Sequence, residues 1–305
     1  MRDISAKIET LRTATACGKV YCTATTIQLI KEDALPKGNL FDVARAAALL
    51  AAKNTAHLIP HCHPVHIDAL DIRFEYKVDE AGAGMISIQA MAKSIGRTGI
   101  EMEALTAVSI AALVIYDLLK PVDRQVEITG IRLLEKTGGK SDRAYFKLPS
   151  PCAILVCSDS TAAGTREDRS GKIIASLLSD AKARVADYKI VPDEKNVIQE
   201  HIRDWVKQDM HFIFTTGGTG LGPRDHTVEA VKEILERDAD GITEAMRSYG
   251  QQRTPLAMMS RAVAGSIGHT TIVTLPGSSD GARECLQAIL PTIFHARKIL
   301  KGGGH

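Results

Sequence analysis

The sequence predicts two domains, an N-terminal α+β unit and a C-terminal α/β unit with a mostly parallel sheet. At 305 residues the chain is long enough for two domains of ordinary size. Its first half mixes alanine-rich helical runs with stretches of alternating polarity, as expected of helices on an antiparallel sheet. Its second half alternates continuous apolar runs with helical periodicity, the pattern of parallel strands buried on both faces.

Phe41–Lys53 (FDVARAAALLAAK) is built from strong helix formers. Ile72–Val78 and Met85–Gln89 alternate apolar and polar residues, as half-buried strands do. Within Glu101–Lys120, Leu105, Val108, Ala112, Ile115 and Leu119 recur every three or four residues and form a buried helical stripe. The stretch from Thr137-Gly-Gly-Lys-Ser-Asp to Pro149-Ser-Pro151 is rich in glycine, polar residues and proline. It marks the boundary between domains at 1–147 and 151–305. Beyond it, Ala153–Cys157, a run ending near Val191, His211–Thr215 and Thr271–Leu275 predict strands. Ile173, Ile174, Leu177 and Leu178 predict a helix, and another starts near Thr227.

With 45% apolar and 24% charged residues the composition is that of a soluble globular protein. A formal charge of +2 gives no general attraction to nucleic acid or membrane, and a single Trp argues against base stacking. The six cysteines contain no C-x-x-C pair and read as reduced, mostly buried thiols of a cytoplasmic protein. The N-terminus has an acid at Asp3 and no apolar core, so no signal peptide is visible. The apolar region 104–119 is interrupted by Thr106, Ser109 and Asp117 and is expected to fall short of a membrane span.

Residues 215–225, Thr-Thr-Gly-Gly-Thr-Gly-Leu-Gly-Pro-Arg-Asp, directly follow the apolar Phe212-Ile213-Phe214. Four glycines at a strand's end let the backbone turn tightly and bring its N–H groups to an anion. Asp225 adds a carboxylate suited to a metal ion beside a phosphate. Neither G-x-G-x-x-G nor G-x-x-x-x-G-K-[ST] describes this loop. Ligands of open α/β sheets bind beyond the carboxyl ends of the strands. The loops leaving such ends are Ser158-Asp159-Ser160, Pro192-Asp193-Glu194, the glycine loop and Pro276-Gly277-Ser278-Ser279. Taken alone, Asp159 and Asp193 read first as ordinary turn acids. Combined with the glycine loop, these residues suit a magnesium-bound phosphate ester.

Ser158-Asp159, Asp168-Arg-Ser-Gly171, Pro192-Asp193, Thr216–Asp225, Ser260-Arg261 and Pro276-Gly277-Ser278 occur in order over residues 151–300. The segment resembles the MoaB/MogA family of molybdenum-cofactor biosynthesis. The resemblance implies a three-layer α/β fold that adenylates molybdopterin, with Mg2+ and with ATP as cosubstrate. It implies that Asp193 and Asp225 are the essential acids, holding magnesium and positioning the terminal phosphate of molybdopterin. Gly217, Gly218, Thr219, Gly220, Gly277 and Ser278 would bind phosphate, with Asp159 also on the substrate. A pterin-binding or scaffolding module without catalysis is the alternative.

The first half carries a different set of groups. Lys37-Gly38 lies in a Pro/Gly turn, and His61-Cys62-His63-Pro64 follows Leu58-Ile59-Pro60. Glu101 and Glu103 open the long helix, where its dipole favours anions, and Asp117 and Lys120 share one face near its end. Gly138-Gly139-Lys140 gives a flexible basic loop. Pro60 and Pro64 prevent a shared helix face for the His/Cys cluster, and no second Cys pair closes a tetrahedral site. Zinc is therefore not expected. Asp117–Lys120 also reads as a solvated surface pair.

Asp3-Ile-Ser-Ala-Lys7, Leu11-Arg12, Pro36-Lys37-Gly38, Leu58–Pro64, Thr98–Leu105, Ile115–Lys120 and Thr137–Ser141 together resemble the MoaC family over residues 1–147. This resemblance implies a ferredoxin-like α+β fold that converts 3′,8-cyclo-7,8-dihydro-GTP into cyclic pyranopterin monophosphate and pyrophosphate. It implies that Asp117 and Lys120 are the central acid/base pair, with Lys37 and His63 beside them. Arg12 and Lys140 would bind the triphosphate, while His61, Cys62, Met102 and Glu103 contact substrate. Such chemistry favours proton-transfer groups tuned toward neutral pH and cations on the departing pyrophosphate. The segment departs from the family pattern at Asn39, Ala47-Ala48 and His61. The two resemblances imply small pterin and nucleotide substrates and a homo-oligomer, a trimer or hexamer, with inter-subunit sites in the first half. A sulfur-inserting enzyme works between the two steps in the implied pathway, so one site does not feed the other. A regulatory sensor of GTP-derived metabolites is the competing reading of the whole chain.

Overall fold

The computed structural model describes residues 1–79, 82–139 and 150–303. The chain forms two compact units, Met1–Asp142 and Arg143–His305. The first runs β1 (Thr10–Thr23), α1 (Ala24–Lys31), α2 (Leu40–Lys53), α3 (Thr55–Leu58), β2 (Ala69–Val78), β3 (Ala83–Gly96), α4 (Glu101–Leu119) and β4 (Glu127–Thr137). Its four strands pair antiparallel in the order β2-β3-β1-β4. Alternate residues of β1 (Ala14, Ala16, Val20) and β3 (Ile86, Ile88, Ala90) enter one core with Ala104, Val108, Ala111 and Ile115 of α4 and Ala44 and Ala48 of α2. Small side chains on the facing surfaces allow α2 and α4 to pack closely against each other.

The same small residues conceal β1 from periodicity. The buried face of β1 consists largely of alanine, and Gly18 sits where a Cβ would stand 2.7 Å from the Val108 side chain. Close approach of α4 therefore replaces bulky apolar residues as the source of the packing. β4 is an edge strand with most residues exposed, so its alternation is weak. The helix α4 also corrects an expectation, because it is long and apolar enough to cross a membrane by length and composition. Ala104, Ala107, Val108, Ala111, Ala112 and Ile115 are fully buried in the unit's core, which accounts for that apolar character. The departure at Asn39 has a local explanation. Its Oδ1 accepts from the N–H groups of Phe41 and Asp42, both at 3.1 Å, and so caps α2 as an aspartate would.

The second unit runs β5 (Pro151–Cys157), α5 (Asp159–Ala162), α6 (Ser170–Asp180), β6 (Arg184–Val191), α7 (Lys195–Lys207), β7 (Phe212–Thr216), α8 (Thr227–Lys232), β8 (Arg237–Asp238), α9 (Asp240–Gln251), β9 (Ala264–Ile267), β10 (Thr270–Leu275), α10 (Ser279–Ile289) and α11 (Ala296–Leu300). The sheet order is β6-β5-β7-β10-β9-β8. The first three pairings are parallel, while β10–β9 and β9–β8 are antiparallel. This mixed edge is absent from the sequence expectation, since two short strands leave too few residues for a period to register.

Both faces of the sheet are covered. Ile154, Phe212, Phe214 and Val273 pack with α6, α9 and α10, whereas Leu155, Ile213 and Ile272 pack with α7 and α8. Hence the central strands are buried at nearly every position and carry apolar residues or threonine. Parallel pairing brings the carboxyl ends of β5, β6, β7 and β10 to one edge, where the four loops anticipated from sequence emerge together. All six cysteines are free thiols, and Cys22, Cys152, Cys157 and Cys285 are buried.

Candidate active sites of the two units

At the carboxyl edge of the second sheet, hydrogen bonds draw the loops into one cleft. Ser158 N–H donates to the Val191 carbonyl at 2.9 Å, tying the end of β5 to that of β6. Asp193 N–H donates to Asp159 Oδ1 at 3.1 Å, and the Thr227 hydroxyl donates to Asp193 Oδ1 at 3.3 Å. Thr216 donates to the Pro276 carbonyl at 2.8 Å, bringing in the loop that precedes α10. Ser278 caps α10 by accepting from Gly281 N–H at 3.2 Å, which leaves its own hydroxyl proton available.

The glycine requirement arises as much from these carboxylates and strands as from any ligand. Gly217 has φ +97°, and a Cβ there would lie 2.1 Å from the Cys157 carbonyl oxygen. Gly218 has φ +60°, and its Cβ would lie 2.6 Å from Asp193 Oδ2 and 2.2 Å from Thr227 Oγ1. Gly218→Ala is therefore expected to destabilise the protein by roughly 1–3 kcal/mol, from left-handed strain and from displacing Asp193. A thermal melt checks this, with Gly241→Ala as the control because, apart from its chain neighbours and its own helix backbone, no atom lies within 4 Å of that Cβ position.

The resulting cleft has a volume of about 540 Å³ and contains Asp159, Asp193, Gly217, Gly218, Asp225 and Ser278. Thr219 and Gly220 line an adjoining cleft of about 580 Å³ that shares Gly277 and Ser278. The glycine loop thus forms a wall between two spaces. Sequence reasoning assigned no role to Arg166, Asp168, Arg169 or Arg224, which also line the first cleft. Arg224 pairs with Asp159 at 2.7 Å. Asp168 accepts from Gly171 N–H at 2.9 Å and from the Tyr188 hydroxyl, fixing the start of α6.

Burial pushes the Asp193 carboxyl above the ordinary carboxylate range, and the charges of Asp225 and Asp159 act in the same direction. Hydrogen bonds from His226 and Thr227 oppose this rise. A divalent cation beside Asp193 would relieve this repulsion. Among the described residues, no group of three or more His, Cys, Asp or Glu side chains could hold a metal ion. Asp193 and Asp225 instead suit magnesium's habit of taking one or two carboxylates, completed by water and phosphate oxygens.

In the first unit the predicted residues separate into two groups. At the end of α4, Lys120 Nζ lies 2.7 Å from Asp117 Oδ1 and Lys37 Nζ lies 3.4 Å from Asp117 Oδ2. Lys37 also donates to the Asp117 carbonyl at 3.2 Å. Contact with Lys120 and then Lys37 holds the Asp117 carboxyl below its ordinary range, while Asp117 raises Lys120. The expectation of groups tuned toward neutral pH is thus not met in the single chain. An exposed ion pair stabilises both charged forms, and neutral tuning needs burial that these side chains lack.

The other group surrounds the start of α4. Glu103 is 2% exposed, with Oε1 3.8 Å from the Cys62 thiol. Burial raises both Glu103 and Cys62, and the Cys62 thiol donates toward Glu103 Oε1. Glu103 Oε2 is buried without a hydrogen-bond partner among the described residues. Met102 and His61 are exposed and His63 is half-buried. A nearby cleft of about 340 Å³ contains Lys7, Arg12, Arg97, Glu101 and Lys136. Lys136 pairs with Glu101 at 2.9 Å. Lys7, Arg97 and Lys136 were missed in the site prediction because isolated surface cations carry no sequence period. Lys140 lies outside the described residues.

Along α4, Glu101 and Asp117 are separated by about 24 Å at 1.5 Å per residue. Lys37 joins Asp117, whereas Cys62, adjacent to His63, sits at the opposite end with Glu103. One chain therefore presents the two groups at opposite ends of α4.

Residues 1–139 match the MoaC family model, and residues 153–295 match the model described as "Probable molybdopterin binding domain". Over 305 residues the chain is 44% identical to the molybdenum cofactor biosynthesis bifunctional protein of Chlorobaculum tepidum, covering 100% of this chain and 96% of that one. The chain belongs to this bifunctional family. Its function is molybdenum-cofactor biosynthesis, through a MoaC domain and a MoaB/MogA-like domain. The MoaC part is 47% identical over 141 residues to the cyclic pyranopterin monophosphate synthase of Thermoanaerobacter sp., spanning 46% of this chain and 87% of that relative. The crystal structure of the molybdopterin biosynthesis enzyme MoaB from Thermus thermophilus is 43% identical, covering 50% of this family member and 97% of that chain, with a TM-score of 0.48.

Proposed function

We propose that residues 1–147 convert 3′,8-cyclo-7,8-dihydro-GTP to cyclic pyranopterin monophosphate, and that residues 151–305 adenylate molybdopterin with Mg-ATP. The cluster of Asp159, Asp193 and Asp225 against the glycine loop is the observation that carries the second assignment. The strand order β2-β3-β1-β4 around α4 supports the ferredoxin-like description of the first domain.

In the first reaction, Lys7, Arg12, Arg97 and Lys136 supply cations to the triphosphate, and Glu103 and the His61–His63 strip contact the purine-derived rings. Asp117, Lys120 and Lys37 move the protons. The two groups become one site when the start of α4 from one copy meets the end of α4 from another. Burial under that second copy removes the solvent that now holds Asp117 and Lys120 in their charged forms. Exposed apolar residues on the helices, including Leu50 at 63% and Leu113 at 54%, are consistent with such an interface. A hexamer satisfies both domains, and light scattering that gives a monomer would exclude this arrangement.

In the second reaction, an oxygen of the molybdopterin phosphate attacks the α-phosphorus of ATP, forming a P–O bond as the bond to pyrophosphate breaks. The glycine-loop amides and the Ser278 hydroxyl orient phosphate oxygens, while Arg224 can exchange Asp159 for a phosphate. Asp193 and Asp225 would hold magnesium, which would supply charge neutralisation at the phosphates. The adjoining cleft, bordered by Met246, Leu256, Ala257 and Met259, offers apolar walls for a planar ring. Incubating the intact protein with molybdopterin and ATP is expected to yield adenylated molybdopterin, and EDTA is expected to stop the transfer. Pterin binding without AMP transfer in excess magnesium would assign the second domain to binding alone.

A further inference from the structure

Arg261 lies outside the predicted site residues, yet its side chain grips the glycine loop at both ends. Its Nε donates to the Gly220 carbonyl at 2.7 Å, and Nη2 donates to the Asp225 carbonyl at 3.0 Å. Nη1 pairs with Glu229 in the first turn of α8, and the Arg261 N–H reaches the Thr219 carbonyl at 3.4 Å. Between these anchors, residues 220–224 are exposed and include Gly220 and Gly222. The segment's internal ties are a 2.7 Å bond from Gly222 N–H to Asp225 Oδ2 and a 3.1 Å bond from Asp225 N–H to the Gly222 carbonyl. A glycine-containing segment with so few ties would sample many backbone conformations, and the Asp225 carboxylate would move with it.

The geometry points to Arg261 as a positioning residue for Asp225, a forked clamp that fixes the glycine loop before substrate arrives. The guanidinium plane suits the task because it presents several N–H groups in fixed directions, whereas a lysine ammonium on a flexible stem cannot reproduce that fork. Glu229 in turn holds the guanidinium, so the clamp joins the loop to α8, whose Thr227 touches Asp193. A single residue thereby coordinates the supports of both essential acids. Its catalytic consequence rests on the adenylyl-transfer reading given above.

The test uses the full-length protein and the variants Arg261→Ala, Arg261→Lys and Glu229→Gln. Backbone hydrogen exchange of residues 219–225 in Arg261→Ala is expected to rise about tenfold or more, as loss of charge-assisted bonds at both anchors implies. Exchange in β5 and β7 is expected to remain as in the wild type. In the AMP-transfer assay, the magnesium concentration for half-maximal rate is expected to rise about tenfold with little change in thermal midpoint. Arg261→Lys is expected to recover little of this, because it restores charge but not the fork. Glu229→Gln is expected to show an intermediate increase in loop exchange. Unchanged loop exchange in Arg261→Ala would overturn the clamp, as would a loosened loop with unchanged magnesium dependence. A wild type that transfers no AMP would count against the adenylyl-transfer reading, while the exchange measurement would still decide the clamp.

Discussion

Mixing Asp117→Ala chains with Arg12→Ala chains is expected to restore synthase activity that neither variant possesses alone. Asp117 belongs to the proposed proton-transfer cluster at the end of α4, and its loss is expected to cost about 10²–10⁴-fold in rate. Arg12 lies in the cationic cleft at the other end, and its loss removes charge stabilisation of the departing pyrophosphate at a cost of about 10²–10³-fold. If each complete site takes one half from each of two chains, an interface between the two variants contains one wild-type site and one doubly altered site. Random reassembly of equal amounts then recovers about a quarter of wild-type turnover. Pyrophosphate release from the cyclised GTP provides the assay. Recovery is excluded if one chain supplies a whole site, because every chain carries a lesion.

Asp193→Asn is expected to abolish AMP transfer while raising the thermal midpoint. The wild-type carboxyl is raised by burial and by the charges of Asp225 and Asp159. A carboxyl whose pKa rises on folding binds its proton more tightly in the folded state than in the unfolded chain. That contribution to stability is complete below the unfolded pKa and is lost as pH increases through the folded pKa. At neutral pH the ionised group therefore opposes folding in the absence of a cation. Asparagine keeps the shape and can accept from Thr227, while removing the charge that magnesium requires. Melts without metal should show stabilisation at pH 7 and a smaller difference at acidic pH. Added magnesium should stabilise the wild type more than the variant.

The main architecture was legible where burial follows a clear period. Phe212–Phe214 and Pro151–Cys157 are covered on both faces, so these runs are continuously apolar. The α4 stripe was equally visible, because its inner face combines Val108, Ile115 and Leu119 with alanines. β1 escaped notice because it achieves close packing with Ala14, Ala16 and Gly18 rather than with large residues. The antiparallel β8 and β9 were too short to announce a direction.

The candidate sites followed a similar division. The glycine loop and its acids were visible because Gly217 and Gly218 satisfy backbone demands that side chains violate. The sequence also pointed to Asp117 and Lys120 as neighbours on one helical turn, and their 2.7 Å contact agrees with that spacing. Their distance from Glu103 follows from the helix predicted over Glu101–Lys120, whereas the gathering of Arg12 with Arg97, Glu101 and Lys136 was not apparent, because it depends on strand pairing. Arg261 was visible as half of a two-residue motif, but its role emerges only when the loop carbonyls converge on it.

The most direct test of the first domain incubates the intact protein with 3′,8-cyclo-7,8-dihydro-GTP and follows pyrophosphate together with the oxidised, fluorescent pterin. The expected result is one pyrophosphate released for each cyclic pyranopterin monophosphate formed, with both products lost in Lys120→Ala. Stable binding of the cyclised nucleotide with no pyrophosphate and no new pterin would contradict synthase activity and assign the domain to metabolite sensing.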